Sequence, residues 1–168
     1  LPSTGARGTT ITKGGSETGK SSIQREGGGI GLAAGANIFE VALYGIAKSI
    51  ISKNKTGKED IVFLIDASGS MEENISAVAR YIVKMIEVFQ DSKIDYTLVI
   101  IRFNRVLKNN DIKVYEQTKD VNQFKSILRS IKCIGDESIF DAFDVGFTQV
   151  KLRSPVDKTF ILVTDEPI

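Results

Sequence analysis

Three side chains in the stretch DASGS could do chemistry together. Asp66, Ser68 and Ser70 stand at alternate positions, and in an extended loop alternate side chains point the same way. One carboxylate and two hydroxyls facing one centre offer one charge and two neutral oxygens. That donor set suits a hard cation such as Mg2+, Mn2+ or Ca2+. The same residues have a plainer use, because serines ahead of a helix starting near Met71 can cap it. A second stretch, GGSETGKS at 14–21, has phosphate-loop spacing: Gly14, then Gly19, Lys20 and Ser21. Its chemistry, backbone N–H groups cradling phosphates, needs a buried strand before the loop and a helix after it.

Composition narrows the chemistry further. The 168 residues contain no histidine and one cysteine, Cys133. Ser–His and Cys–His catalysis, imidazole metal sites and an intrachain disulfide are therefore excluded, and a thiolate zinc cage is unsupported. Any metal site must use oxygen ligands. Hydrophobic content of 42% and charged content of 26% fit a globular chain of about one domain. A net charge of +1 makes no case for a nucleic-acid partner. No apolar run reaches the ~20 residues of a membrane-spanning helix, so no direct membrane insertion is expected. Residues 28–51 come closest, but Glu40 and Lys48 interrupt them. LPSTG at 1–5 matches a sortase-type string but lacks the hydrophobic segment and basic tail such a signal needs.

The elements that must position these residues follow from periodicity. Residues 1–36 are rich in Gly, Ser and Thr and read as a flexible linker or tail. In ARGTTITK, the segment just ahead of the phosphate-loop motif, Ile11 is the only strong hydrophobe, so a buried parallel strand is not expected there. Three glycines at 27–29 weaken any helix after it. Residues 37–57 read as an amphipathic helix leading into the domain, with Asn37 and Glu40 as a capping box and Gly57 beyond its end.

IVFLID, 61–66, is a buried strand ending in an acid. The helix after it places Ile75, Val78, Ile82, Met85, Ile86 and Phe89 on one face. Tyr96 to Phe103 is a second strand and Asp111 to Glu116 a polar edge strand. Asp120 and Gln123 cap a helix carrying Phe124, Ile127, Leu128 and Ile131. Another helix carries Ile139, Phe140, Phe143 and Phe147, and KTFILVTD, 158–165, is a last buried strand ending in an acid. Strands alternating with helices predict an α/β fold, a Rossmann-like, doubly wound, mostly parallel sheet flanked by helices. Ligands of such sheets sit beyond the carboxyl ends of the strands, where Asp66 and Asp165 fall.

DASGSM on one buried strand, GDESIFDAF before a helix and ILVTDE on a second buried strand occur in that order. This resembles the von Willebrand factor type A domain and its metal-ion-dependent adhesion site, over about residues 59–168. The resemblance implies a divalent cation, Mg2+ or else Mn2+ or Ca2+, held by Asp66, Ser68, Ser70 and Asp165. Many members have Thr in the third loop, where this chain reads Gly135-Asp136-Glu137-Ser138. Integrin β-subunit-like members carry Glu there, which makes Glu137 the third-loop ligand, with Asp136 or Ser138 as alternatives one position away. Three carboxylates would leave the site formally about −1, holding the metal more tightly but weakening its pull on an acidic group. The family partner supplies Asp or Glu to the ion, so the resemblance implies metal-bridged protein binding, for adhesion or assembly, and no enzyme activity. Glu72 and Glu73 could form a second, adjacent cation site, although a solvated first helical turn is the better reading.

Two other functions compete. A P-loop NTPase would use GGSETGKS, with FILVTDE as its second motif. A phosphoaspartyl-type hydrolase would use Asp66, but its usual second Asp is replaced by Ser68. The family sheet has about six strands in order 3-2-1-4-5-6. ILVT would be left as an open edge, so the domain, 58–168, is expected to be truncated after its fourth strand, with completion of the sheet by another chain as the alternative. The glycine-rich leader resembles bacterial members that are secreted, periplasmic or at the cell surface, while other members work inside cells.

Overall fold

The run IVFLID forms the core of β2, Lys58–Asp66, in which every residue after Lys58 is buried. Strands covered on both faces read as continuous apolar runs rather than alternating ones. Ile61, Phe63 and Ile65 enter one hydrophobic cluster and Val62 and Leu64 another, on opposite faces. The computed structural model describes residues 7–11, 37–106, 109–135 and 139–165. On one side of β2 lies β3, Asp95–Val106, and on the other β5, Asp157–Val163, both parallel to it. β4, Asn109–Val114, pairs antiparallel with β3. The expected mixed, mostly parallel sheet is thus present, and β4-β3-β2-β5 reproduces the 3-2-1-4 part of the family order.

The other edge departs from expectation. Arg7–Ile11 forms β1, which pairs in parallel with β5 from Arg7 opposite Thr159 to Ile11 opposite Val163. The sheet order is β1-β5-β2-β3-β4, so ILVT is not an open edge. A strand was not expected at 7–11 because the segment carries one strong hydrophobe. An edge strand needs little more than a free backbone ladder and β-branched residues, which Thr9, Thr10 and Ile11 supply.

Helices cover both faces. α1, Ile38–Lys53, α2, Glu72–Asp91, and α3, Val121–Ser130, share one hydrophobic cluster with the Ile61–Phe63–Ile65 face. Within it the ring of Phe63 meets that of Phe124 edge-on, with centroids 5.1 Å apart. α4, Ile139–Thr148, covers the opposite face, where Ala142 is buried and Phe147 lies against Phe160 at 4.6 Å. Among the described residues no helix is long and apolar enough to cross a membrane.

Local chemistry sets the helix ends. Asn37 accepts the Phe39 N–H at 2.9 Å, and Asp120 accepts those of Asn122 and Gln123. α1 stops at Asn54, whose side chain accepts the Gly57 N–H at 2.7 Å while Gly57 takes φ +72°, a region that favours glycine. Asn37→Ala is expected to cost about 1 kcal/mol in urea denaturation. An unchanged midpoint would mean that packing alone holds the start of α1.

The amino end of the sheet carries a partly buried ion-pair network. Arg153 reaches Asp60 with its Nε at 2.6 Å and Asp95 with its Nη1 at 2.9 Å. Asp60 is wholly buried and also accepts the Thr97 hydroxyl at 2.7 Å and the Arg153 backbone N–H at 2.6 Å. Burial pushes the Asp60 carboxyl up, but the hydrogen bonds from Thr97 and Arg153 and the guanidinium charge outweigh it and hold the group below its ordinary value.

Candidate metal centre

β2 and β5 end side by side, with Ile65 opposite Val163. The next residues, Asp66 and Thr164, therefore leave the sheet at one level, at the carboxyl ends where ligands of such sheets bind. Asp66 is wholly buried. Its Oδ1 accepts the Ser68 N–H at 2.8 Å and its Oδ2 accepts the Thr164 hydroxyl at 2.8 Å. An ionised carboxylate has about four acceptor positions, so these bonds orient the group and leave it able to take a further partner.

Two other oxygens, Ser68 Oγ and Asp165 Oδ1, are buried and have no hydrogen-bond partner among the described residues. A buried polar atom without a partner costs about 1–3 kcal/mol and calls for an explanation. Ser68 lies two residues after Asp66 on the turn that follows β2, and Asp165 follows Thr164, whose hydroxyl holds Asp66. A carboxylate oxygen and a hydroxyl in need of a partner, beside a second carboxylate, are the donor chemistry of a hard cation. The residues present therefore fit such an ion.

Helix capping does not explain the serines. The N-cap position of α2 is Met71, which makes no side-chain capping bond and is wholly buried. The Ser68 carbonyl accepts the Met71 N–H at 3.2 Å, so its backbone shapes the turn while its hydroxyl stays unused.

The third loop is clipped onto the first. Ile134 N–H donates to the Ala67 carbonyl at 2.8 Å, and Gly69 N–H donates to the Gly135 carbonyl at 3.3 Å. Asn104, wholly buried just past the Asp66 level on β3, donates its side-chain N–H to the Ile134 carbonyl at 2.7 Å. Cys133 precedes this clip and is partly buried against the larger cluster. Burial, with the nearby charges of Glu72 and Asp66, pushes its thiol up, so at neutral pH it is a packing residue rather than a nucleophile.

Of the residues singled out in the sequence, Asp66 and Ser68 lie buried in one turn and Asp165 leaves the adjacent strand. Ser70 is exposed on that turn. Glu137, with Asp136 and Ser138, lies outside the described residues, as does GGSETGKS. Glu72 and Glu73 are exposed on the first turn of α2. Among the described residues no three Asp, Glu or Cys side chains gather into a metal cage. Hydroxyls supply the remaining oxygens at this level.

Thr164 and Asn104 were not singled out in the sequence. Thr164 follows the last residue of β5 and Asn104 lies on β3 two residues before its end; a polar residue after a buried apolar run, as Asp66 is, was the available signal. A family model described as the von Willebrand factor type A domain matches residues 60–167. Comparisons with curated proteins and with solved structures gave no match.

Proposed function

Because the chain belongs to the von Willebrand factor type A domain family, whose members generally mediate metal-dependent protein interactions, we propose that it is a metal-dependent protein-binding module with no catalytic role. Asp66, Ser68, Ser70 and Asp165 would hold Mg2+, or Mn2+ or Ca2+, with Glu137 as the third-loop ligand. A bound cation would supply an electrostatic anchor for an Asp or Glu side chain of a protein partner. The chain's own residues prepare that anchor. Thr164 and the Ser68 N–H orient the Asp66 carboxylate, and Ser68 and Asp165 bring buried oxygens.

The observation that carries the reading is a pair of buried oxygens, Ser68 Oγ and Asp165 Oδ1, without a hydrogen-bond partner among the described residues. Titration calorimetry with Mg2+ and Mn2+ tests it on the wild type and on Ser68→Ala. Ser68→Ala is expected to weaken binding at least tenfold while the fold is kept, because it removes one neutral ligand and a buried unpaired hydroxyl together. Equal affinities would remove Ser68 from the site. No heat from either ion with the wild type would refute the metal reading. ATP with Lys20→Ala is the control for a nucleotide site.

A further inference from the structure

The described contacts around the third loop converge on one side chain that sits outside any ligand set. Asn104 is wholly buried on β3, next to the strand that ends in Asp66. Its amide donates to the Ile134 carbonyl at 2.7 Å, while its Oδ1 accepts the Arg102 guanidinium at 3.1 Å. Arg102 is braced in turn by Asp111 of β4 at 2.7 Å. Ile134 is half exposed, yet both of its backbone polar groups are held: the N–H by Ala67 and the carbonyl by Asn104. Gly135, the next residue, accepts the Gly69 N–H. The strand-end Asn, the first loop and the third loop thus form one hydrogen-bonded unit.

We infer that Asn104 is a positioning residue: it fixes residues 134 and 135 against the DASGS turn and so holds the shape of that turn. It rests on the function proposed above only for its consequence at the metal; the loop restraint stands on its own. Asn104 fits the role better than a second backbone clip would. A carboxamide offers a donor for the loop and an acceptor for Arg102 at once. Arg102, tied to Asp111, keeps the amide from turning over.

The test is amide exchange by NMR on the metal-free chain, with Mg2+ titration alongside, for wild type, Asn104→Leu and Arg102→Ala. Asn104→Leu keeps the volume and removes the donor. The Ile134 and Gly69 amides are expected to exchange about five- to tenfold faster, from the loss of one hydrogen bond. The Leu98 amide, which bonds to the Thr118 carbonyl in the body of the sheet, should be unchanged. Arg102→Ala, which removes only the brace, should give a smaller change of the same sign, and it decides the question if Asn104→Leu does not fold. Mg2+ affinity should fall about tenfold in Asn104→Leu. Unchanged exchange at Ile134 and Gly69 overturns the inference, as does unchanged Mg2+ affinity in a chain whose wild type binds the ion. A wild type that binds no Mg2+ refutes the function proposed above instead, and the metal-free exchange rates still decide for or against Asn104.

Discussion

Asp66→Asn is expected to abolish Mg2+ binding while leaving the metal-free fold intact. The two effects separate because Asp66 has two jobs. Its shape completes a turn, through bonds to the Ser68 N–H and the Thr164 hydroxyl. Asn preserves that part, since its carbonyl accepts the N–H and the threonine hydroxyl can accept from its amide. Its charge is the part a cation needs, and a neutral amide at the centre of the site should weaken binding by more than about a hundredfold. Ligand binding to the folded state alone raises stability by about 2.7 kcal/mol at a hundred times Kd. For a chain of this size that is about 5–10 °C in Tm. The wild type should show that shift in Mg2+ and Asp66→Asn should show none, with metal-free midpoints within about 2 °C of each other. A full Mg2+ shift in the variant would move the site away from DASGS.

Arg153→Ala is expected to destabilise the chain by about 3 kcal/mol at pH 7. The loss comes less from the missing attraction than from what stays behind, a wholly buried Asp60 carboxylate without its cation. The pH dependence identifies this cause. In the wild type the Asp60 carboxyl titrates below its ordinary value. The unfolded chain therefore takes up its proton first on acidification. The stability that this group contributes is present above the unfolded value, about 4, and is lost as pH falls through the lower folded one. Without the guanidinium, burial meets less opposition and the carboxyl titrates higher. The deficit of the variant should then be flat near neutrality and narrow as pH falls below about 5, where the wild type loses the contribution of this group and the variant has less of it to lose. Urea denaturation at pH 7 and at about pH 3.5 measures this. A pH-independent deficit would place the loss in packing of the Arg153 stem.

Much of this arrangement is legible in the sequence, for physical reasons that differ by element. β2 and β5 announce themselves because a strand covered on both faces must be apolar throughout. α2 does so because one face carries Ile75, Val78, Ile82, Met85, Ile86 and Phe89. Their strand-end acids follow directly, and so does the turn built on Asp66 and Ser68. β1 was illegible because hydrophobic content registers burial, and an edge strand held through its backbone has little to register. Thr164 and Asn104 were illegible for another reason. Their roles lie in what they touch across the sheet, 98 and 30 residues away in sequence, and no local pattern encodes such a neighbour.

The position of β2 has a consequence for how the chain is made. Its neighbour β3 follows closely: Asp60 and Thr97, bonded across the two strands, are 37 residues apart. Its other neighbour comes much later, since Asp66 and Thr164 are 98 residues apart. At about 5–20 residues per second of synthesis, the most apolar strand of the sheet waits about 5–20 s with one side unpaired. β1 has been made by then, but its partner is β5 and it cannot dock in advance. Until β5 has been made, the growing chain therefore carries β2 without its partner on that flank, an apolar edge that a ribosome-associated chaperone could cover.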